Sequence, residues 1–422
     1  MNVTITPKRQ LSGTITAPPS KAQTHRALFT GLLSKGTTRI DNPLSCDDTE
    51  ATAKCISALG AKIIRQGRIW NVEGKGFPNP PQEEIQCGES GVTLRFLIPI
   101  VSLTGRRVAL RAKCNLLKRP LQPLASAMEQ VGVKLTVNDD SVVLDGEVPE
   151  GGSVSVRGDV SSQFISGLIL AGPLMKKGLR LDLTTRLESR GYVSLTMDAM
   201  KKHGVHARTD GEMSFFEVTP NERYVSAEHS ISGDYSSAAF PLSAAAITNS
   251  RVVVRGLASP SHEPDGVVLG LLSQMGAAVR LVDDGVLVEG VGLKAARIDI
   301  HDSPDLGPVA AVLGCYADGE TTICGASRLR FKESDRLTSI SDELVALGAN
   351  VTETEDGFRI HGPASLRGGV VQSHGDHRIA MALTVAALGA DGRVEIQGAE
   401  CVSKSYPTFF DDMRALGVEV NG

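Results

Sequence analysis

One short pattern recurs six times along the 422-residue chain and limits its possible folds more than any other feature. Each copy is a helical stretch that ends in glycine and runs directly into a β-strand pattern, as in A-L-G-A-K-I and Q-V-G-V-K-L. The glycines are Gly60, Gly132, Gly204, Gly276, Gly348 and Gly417, at four intervals of 72 residues and one of 69. A helix commonly ends on a residue of positive φ, which glycine adopts without a Cβ clash. Six similar units are therefore predicted.

A second set of six helical stretches, which we call the lead helices, alternates with these glycine-ended helices. The lead helices are rich in Ala, Ser, Gly and Leu and are each followed by a short strand pattern; they begin near Ser20, Ser90, Ser161, Asp234, Pro304 and Asp376. Most strands after the glycines turn back as hairpins. Each unit thus has the α/β order βαβαββ. One unit is too small to bury both helices and a sheet alone, so the units should pack in groups.

The two ends of the chain are expected to complete each other. The sixth unit stops at Gly422 before its hairpin is finished, whereas the chain opens with two strand patterns, M-N-V-T-I-T and G-T-I-T-A, that precede any helix. One domain is therefore predicted to be discontinuous. It comprises residues 1–18 plus 231–422 with three units, and residues 19–230 form a second domain with the other three.

Composition excludes several classes of partner. The 44 Lys and Arg residues nearly balance the 48 Asp and Glu residues, so no nucleic acid or membrane surface is indicated as a partner. The sequence has neither an apolar run of membrane-spanning length nor a signal-peptide core, and a cytoplasmic location is expected. Its seven cysteines include no C-x-x-C, and no phosphate-binding glycine motif occurs. No metal and no organic cofactor is expected.

Basic residues at the starts of lead helices indicate anion binding. Lys21, Arg26, Arg95, His377 and Arg378 fall in the first two turns, where the helix dipole favours acidic residues instead. Helix N-termini combined with cations are suited to phosphates and carboxylates. For Arg26 and Arg95 the alternative is a structural bridge to acidic residues of neighbouring units.

The most charged stretch is Arg328–Arg336, R-L-R-F-K-E-S-D-R, with four cations and two carboxylates in nine residues. On its own it is typical of a solvated helix start. Its place in the fifth unit, however, matches that of residues 42–48 in the first, in the loop before a glycine-ended helix.

Nine motifs in order identify a family. They are P-S-K-A-Q-T-H-R (19–26), C-G-E-S-G (87–91), K-R-P (118–120), S-S-Q-F (161–164), S-R-G-Y (189–192), P-D (304–305), K-E-S-D-R-L (332–337), G-D-H-R (375–378) and C-V-S-K-S-Y-P (401–407). Together they resemble the 5-enolpyruvylshikimate-3-phosphate (EPSP) synthase family over essentially the whole chain. The resemblance implies a monomer with the two-domain enolpyruvyl transferase fold, an inside-out α/β barrel with three βαβαββ units per domain. It also implies an active site in the interdomain cleft.

The resemblance further implies transfer of the carboxyvinyl group of phosphoenolpyruvate to the 5-hydroxyl of shikimate 3-phosphate. The implied positions for shikimate 3-phosphate are Lys21, Ala22, Arg26, Ser161, Ser162, Gln163, Ser189, Asp305, Arg328 and Lys332. Those for phosphoenolpyruvate are Lys21, Gly91, Arg119, Gln163, Arg336, Arg378 and Lys404. Gly91 also leaves room for the family's inhibitor, glyphosate. At position 22 many members have serine, so one phosphate contact is lost or replaced here, and Arg328 stands where one branch has asparagine.

Two carboxylates match the family's proton-transfer residues, Asp305 as acceptor and Glu333 as donor. Glu333 lies between two cations in the sequence, which favours its ionised form, whereas a donor must be protonated when it acts. Either Glu333 gains its proton in the closed complex, or Lys21 supplies the proton.

Two alternatives remain from sequence alone. The sister enzyme that transfers the same group to UDP-N-acetylglucosamine has a reactive cysteine five residues before an Arg-Pro, and Cys114 lies five residues before Arg119-Pro120. The rest of that loop pattern is absent here. A catalytically silent binding protein is the second alternative, and the presence of Asp305, Glu333 and Lys21 argues against it.

Overall fold

The computed structural model describes residues 1–80, 83–258 and 263–422. The chain divides into two compact units, which we call the discontinuous unit (Met1–Pro18 with Ser232–Gly422) and the continuous unit (Pro19–Ile231). Each unit has its own hydrophobic core. No helix within the described ranges is both long enough and apolar enough to cross a membrane.

Apart from the one-turn helix α4, the helices of the described residues alternate between lead and glycine-ended types. In chain order they are α1 (Lys21–Leu33), α2 (Asp47–Ala58), α3 (Gly91–Ser102), α4 (Cys114–Leu117), α5 (Gln122–Gln130), α6 (Ser162–Ala171), α7 (Arg190–Lys202), α8 (Tyr235–Ile247), α9 (Val268–Gln274), α10 (Gly307–Tyr316), α11 (Arg336–Ala346), α12 (His377–Leu388) and α13 (Phe409–Ala415). Short 3-10 helices cover Gly172–Leu174, Pro264–Val267, Pro304–Leu306, Ser327–Phe331 and Ala399–Lys404.

The strands of the described residues are short and form six separate sheets. They are β1 (Asn2–Ile5), β2 (Ser12–Thr16), β3 (Lys35–Asp41), β4 (Lys62–Gln66), β5 (Ile69–Lys75), β6 (Glu84–Gly88), β7 (Val108–Ala112), β8 (Val133–Val137), β9 (Ser141–Gly146), β10 (Gly152–Val156), β11 (Leu179–Leu183), β12 (Ala207–Arg208), β13 (Phe215–Val218), β14 (Glu228–Ser230), β15 (Arg251–Arg255), β16 (Ala278–Val282), β17 (Gly285–Glu289), β18 (Leu293–Lys294), β19 (Arg297–Asp299), β20 (Ala317–Cys324), β21 (Asn350–Thr354), β22 (Gly357–Gly362), β23 (Gly369–Gln372), β24 (Val394–Gln397) and β25 (Val420–Asn421).

All six sheets share one topology. A first strand runs parallel to the strand after the lead helix, and that strand is antiparallel to one arm of a hairpin or, in the sixth sheet, to β1. The sheet orders are β14-β3-β5-β4, β6-β7-β9-β8, β10-β11-β13-β12, β2-β15-β17-β16, β18/β19-β20-β22-β21 and β23-β24-β1-β25. The predicted βαβαββ order is confirmed.

The chain ends close the sixth sheet, as the sequence predicts. β1 is antiparallel to both β24 and β25, with Val3 opposite Ile396 and Thr4 opposite Asn421. The second N-terminal strand, β2, supplies the first strand of the fourth sheet instead. In the continuous unit β14 plays the same part for the first sheet, where it lies parallel to β3. That pairing has no signal in the sequence because β14 has only three residues.

The six repeated glycines end their helices as predicted. All have positive φ, between +77° at Gly204 and +98° at Gly276. The lead helices begin at the predicted caps as well: for example, the Ser20 side chain accepts from Gln23 N at 3.1 Å and that of Asp234 from Ser237 N at 2.8 Å. The fifth lead helix differs in detail, since the 3-10 turn Pro304–Leu306 precedes α10.

Lead helices lie in the cores because small side chains let them approach their neighbours. In the discontinuous unit α8, α10 and α12 contact one another. In the continuous unit α3 packs on α6, where a Cβ built on Gly167 would lie only 2.8 Å from Arg95 O. This close approach fixes Arg95 beside the first turn of α6.

A buried histidine pair joins β14 to the end of α7. His203 Nε2 lies 2.8 Å from His229 Nε2, and His203 Nδ1 lies 2.6 Å from the Val225 carbonyl. A carbonyl only accepts, so His203 carries its proton on Nδ1 and accepts from His229 at Nε2. Burial lowers the pKa of His203 to about 4, and burial together with the His203 neighbour lowers that of His229 to about 3.

This pair predicts an acid-sensitive continuous unit. Both folded-state pKa values lie below the ordinary value near 6.5. Between these pKa values and pH 6.5 the unfolded chain therefore binds more protons than the folded protein. The contribution of the neutral pair to the free energy of unfolding is fully present above about pH 6.5. It falls at lower pH by up to about 1.4 kcal/mol per pH unit for each histidine. His229→Gln keeps a donor toward His203. It should make the free energy of unfolding, measured with denaturant, depend less steeply on pH between pH 6.5 and 4.5. The exposed His206→Gln variant should keep it, and equal slopes in all three proteins would contradict the prediction.

Candidate active site

The discontinuous unit holds Arg336 among three carboxylates. The side chain is 1% exposed and starts α11. Its Nε donates to Asp376 Oδ2 at 2.7 Å, its Nη1 to Asp305 Oδ1 at 2.8 Å and its Nη2 to Glu333 Oε2 at 2.7 Å. Burial opposes the charge, but the three carboxylates outweigh it and raise the pKa of Arg336. The guanidinium is permanently charged and fixed in orientation.

Asp305 is the acid on which the neighbouring cations converge. Besides Arg336, Lys332 Nζ lies 3.2 Å from its Oδ1, and Arg378 Nη2 lies 3.7 Å from its Oδ2. Burial raises its pKa, but Lys332, Arg336 and Arg378 together bring the pKa well below the ordinary range. The side chain is still 23% exposed, so solvent or a ligand can reach it.

Lys332 has two neighbouring guanidinium groups as well as its acidic partner Asp305. Burial, then the charges of Arg336 and Arg328, lower its pKa, while Asp305 and Glu333 counteract them. Arg328 is buried, and its Nη2 donates to the His301 carbonyl at 2.7 Å. The structure thus brings Arg328 into the electrostatic field of Lys332.

Asp376 connects this cluster to the start of α12. It is fully buried, caps the helix by accepting from Arg378 N at 2.9 Å, and also accepts from Ser334 Oγ at 3.2 Å. The buried Arg378 donates from Nη1 to the Ser236 carbonyl at 2.7 Å, which ties α12 to α8. Its Nε has no hydrogen-bond partner within the described ranges. Lys404, at the end of its 3-10 helix, is also buried.

Two charged residues of the same stretch are structural. Asp335 caps α11 by accepting from Leu337 N and Thr338 N. Arg330 pairs with Asp335 at 3.2 Å and Glu353 at 2.7 Å near the surface. The charged side chains of Arg328–Arg336 are therefore buried or partly buried and do not form a solvated face.

In the continuous unit the first lead helix presents Lys21 and Arg26. Lys21 Nζ lies 3.0 Å from Asp48 Oδ2. Arg26 is buried, and its hydrogen bonds include Nε to Thr196 Oγ1 at 2.8 Å and Nη2 to the Tyr192 carbonyl at 2.6 Å. These bonds tie α1 to α7.

Gly91 begins α3 among basic side chains of the same unit. A Cβ built on it would lie 3.2 Å from Nη1 of Arg119 and 3.4 Å from Nη1 of Arg95. Arg95 Nη1 also donates to Gln163 Oε1 at 2.7 Å. The helix N-terminus, two guanidinium groups and one amide therefore converge around a glycine that leaves room for an anion.

The remaining predicted positions of this unit lie at helix starts. Ser161 caps α6 and accepts from Gln163 N at 3.3 Å, and Ser162 is the first residue of that helix. Ser189 precedes α7 with φ of +53°, an uncommon conformation for serine that positions its side chain. The Ala22 carbonyl accepts from Arg26 Nη1 at 2.8 Å.

Sequence reasoning missed three partners of these residues. Thr196 and Tyr192, which hold Arg26, carry no signal because they lie 170 and 166 residues away from it along the chain. Asp48 did carry a signal, because it lies in the segment of the first βαβαββ repeat (residues 42–48) that corresponds to Arg328–Arg336 in the fifth repeat. In the first βαβαββ repeat, Lys21 of the lead helix pairs with an acid, Asp48, at the start of the glycine-ended helix. In the fifth repeat the charges are exchanged: Asp305 pairs with a cation, Lys332, from the corresponding segment.

No group of three or more His, Cys, Asp or Glu side chains in the described part of the chain is arranged to hold a metal ion. Cys114 begins α4, but its side chain lies outside the described residues.

Known proteins resemble this chain in sequence and in fold over nearly its whole length. The sequence model of EPSP synthase (3-phosphoshikimate 1-carboxyvinyltransferase) matches residues 5–413. The chain is 40% identical over 422 residues to the 3-phosphoshikimate 1-carboxyvinyltransferase of Methanocorpusculum labreanum, with 99% of both chains covered. It is 37% identical over 418 residues to that of Clostridium beijerinckii, covering 97% of this chain and 96% of the relative.

The fold matches a solved EPSP synthase structure from Acinetobacter baumannii with a TM-score of 0.81 and 26% identity, and 100% of both chains is covered. The predicted fold class and the resemblance carried by the nine motifs are confirmed. By sequence over nearly its whole length, and by fold, this chain belongs to the EPSP synthase family.

Proposed function

We propose that the chain is a 3-phosphoshikimate 1-carboxyvinyltransferase, an enzyme of the shikimate pathway to aromatic amino acids. In the addition step the 5-hydroxyl oxygen of shikimate 3-phosphate bonds to C2 of phosphoenolpyruvate, the hydroxyl proton goes to a base and the methylene carbon gains a proton. In the elimination step the new methyl group loses a proton and the C–O bond to phosphate breaks. Phosphate leaves with the bonding electrons.

The observation that carries this proposal is the convergence of cations on one partly exposed acid. Lys332, Arg336 and Arg378 all lie within 3.7 Å of Asp305 carboxylate oxygens. At rest Asp305, Glu333 and Asp376 balance these cations, and anionic substrates can replace some of those contacts when they bind. Two substrates that together carry two phosphates and two carboxylates supply such anions, and the carboxylate among the cations supplies a base.

The proposed ligands follow the family positions. For shikimate 3-phosphate they are Lys21, Ala22, Arg26, Ser161, Ser162, Gln163 and Ser189 of the continuous unit with Asp305, Arg328 and Lys332 of the discontinuous unit. For phosphoenolpyruvate they are Lys21, Gly91, Arg119 and Gln163 with Arg336, Arg378 and Lys404. Arginine suits these anions because its planar group binds carboxylate and phosphate through paired hydrogen bonds.

We propose Asp305 as the base and Glu333 or Lys21 as the acid. The low pKa of Asp305 makes it a weak base while the three cations rest on it. Anionic substrates compete for those cations, so binding should raise its basicity at the moment that it is needed. Glu333 accepts from Arg336 at 2.7 Å and must gain a proton before it can donate one, whereas the ammonium of Lys21 beside Asp48 already carries one.

The two steps transfer protons and make and break C–O bonds, and no metal or organic cofactor forms part of the proposal. We further propose a cytoplasmic location and, from the family resemblance, a monomer.

Phosphate release measured with purified protein tests the function directly. Phosphate should appear only when phosphoenolpyruvate and shikimate 3-phosphate are both present, and the organic product should carry one added carboxyvinyl group by mass spectrometry. UDP-N-acetylglucosamine as acceptor should give no turnover. Cys114→Ser should keep kcat within about twofold, because no step of the proposed reaction uses a thiol nucleophile. Turnover of the sugar nucleotide that is abolished by this substitution would favour the sister reaction instead.

A further inference from the structure

A buried chain of hydrogen bonds links the first turns of two lead helices in the continuous unit. His25 of α1 lies 2.8 Å, through Nδ1, from Thr52 Oγ1 of α2. Thr52 Oγ1 lies 2.6 Å from Thr93 Oγ1 of α3. Thr93 Oγ1 in turn donates to Ser90 Oγ at 2.7 Å, and Ser90 is the cap of α3. All four side chains are buried, with exposures of at most 1%.

Counting hydrogens orders this chain in one direction. Thr93 has one hydroxyl hydrogen and gives it to Ser90, so it accepts from Thr52. The Asp48 carbonyl also lies near Thr52 Oγ1, but at 3.4 Å it is a much weaker acceptor than Thr93 Oγ1 at 2.6 Å. Thr52 has then used its own hydrogen and can only accept from His25. His25 therefore carries its proton on Nδ1. Its Nε2 has no partner within the described ranges, a smaller penalty for a lone pair than for a buried N–H.

The surroundings of His25 favour a single protonation state. The pKa of His25 is held well below its ordinary value by burial and by the nearby charges of Lys21 and Arg26. The imidazole is therefore neutral throughout the physiological pH range, and the direction of the chain does not reverse with pH.

The two ends of the chain lie next to the proposed substrate ligands. At one end His25 precedes Arg26, and at the other Ser90 precedes Gly91, around which Arg95 and Arg119 converge. Helix α2 is the bridge: Thr52 joins the chain, and Asp48, one turn earlier, pairs with Lys21 at 3.0 Å.

We propose that His25, Thr52, Thr93 and Ser90 act as positioning residues. Their ordered hydrogen bonds fix the first turn of α3, and with it the Gly91 N–H, relative to Lys21 and Arg26 on α1. Short hydrogen bonds between hydroxyl groups have a preferred direction, which apolar contacts lack, so they add an orientation to the positions that packing sets. This inference rests on the proposed role of Gly91 in phosphoenolpyruvate binding, and it adds the residues that hold Gly91 in place.

Isosteric substitutions separate positioning from packing. Thr93→Val and Thr52→Val remove the hydroxyl groups and keep the side-chain shape. Each should raise the KM for phosphoenolpyruvate roughly tenfold, because small displacements of a ligand group are costly to binding and catalysis. The KM for shikimate 3-phosphate should stay within about twofold. The double variant should be no worse than either single one, since both break the same chain. Thr93→Ser restores the hydroxyl and should restore the KM.

Thr30→Val is the matched control. Thr30 is a buried threonine of α1 whose hydroxyl bonds to Arg26 O at 2.8 Å within its own helix. It should lose a comparable amount of thermal stability with both KM values unchanged. The inference is overturned if Thr52→Val and Thr93→Val behave like this control, or if they change both KM values equally.

A readout without turnover separates this inference from the proposed function. With 15N-labelled histidine, NMR of the wild-type protein should show His25 as the neutral Nδ1–H tautomer between pH 6 and 8, and Thr52→Val should abolish that signature. A different tautomer in the wild type would refute the ordered chain even in an active enzyme. If the wild-type protein shows no turnover but the tautomer is as expected, the proposed function fails and the hydrogen-bond chain stands.

Discussion

Replacing Arg336 by methionine is expected to destabilise the discontinuous unit by about 3–5 kcal/mol at pH 7, because it leaves buried charges without their partner. The substitution keeps the length and apolar part of the side chain but removes the charge from among Asp305, Glu333 and Asp376. Three carboxylates would then face one another without the guanidinium between them. The same change should lower kcat/KM for phosphoenolpyruvate by about a thousandfold or more, since a paired, charge-assisted contact is lost.

The pH dependence gives this prediction a distinctive sign. In the wild type the folded-state pKa of Asp305 is below its ordinary value, so its contribution to stability is present above about pH 4 and is lost as pH falls through the folded-state pKa. In the variant, neighbouring like charges should raise the carboxylate pKa values instead. The stability gap between variant and wild type should therefore narrow from pH 7 to pH 5 in denaturant unfolding.

Arg330→Met is the matched control for Arg336→Met. It removes a cation from the same stretch, but Arg330 is 29% exposed and pairs with Asp335 and Glu353 near the surface. Its loss should cost about 1 kcal/mol or less and leave kcat/KM unchanged. If the two variants unfold at the same denaturant concentration, the buried ion pairs of Arg336 do not contribute more to stability than the surface pairs of Arg330, and the prediction is wrong.

The repeat made most of the secondary structure predictable. A helix that ends in glycine and a lead helix that starts on Ser or Asp are local features, and local chemistry decides them. The φ values at Gly60 and Gly348 and the caps at Ser20 and Asp376 agree with this expectation. The short helix α4 was not predicted, because one helical turn lacks enough residues to show a period.

Charge pairing in the site could not be predicted in the same way. The sequence placed Arg336 in a charged stretch, but its fully buried partner Asp376 lies 40 residues away, and no pattern in the sequence linked the two. The hydroxyl chain from His25 to Ser90 was equally hidden, because Thr52 and Thr93 lie in different helices. Which polar groups meet depends on how closely lead helices approach, and that is set by packing rather than by spacing along the chain.

Asp305 offers the second large effect, because its carboxylate is both the proposed base and the resting partner of three cations. At neutral pH the wild-type group is ionised, as its low pKa requires. Asparagine has nearly the same shape but is neither charged nor basic, so it removes proton acceptance and also frees Lys332, Arg336 and Arg378 from a competing anion. The two consequences act on different steps: catalysis should suffer, whereas binding of an anionic substrate should not.

Asp305→Asn is therefore expected to lower kcat by about a thousandfold, within the usual range for loss of a general base. Its dissociation constant for phosphoenolpyruvate, measured by calorimetry, should be unchanged or smaller. Asp299→Asn makes the same charge change at an exposed residue six positions earlier and should leave both quantities unaltered. If Asp305→Asn keeps kcat within about threefold, another group accepts the hydroxyl proton. If Asp305→Asn instead weakens phosphoenolpyruvate binding tenfold at unchanged kcat, the Asp305 carboxylate orients the three cations for phosphoenolpyruvate and does not compete with phosphoenolpyruvate for them.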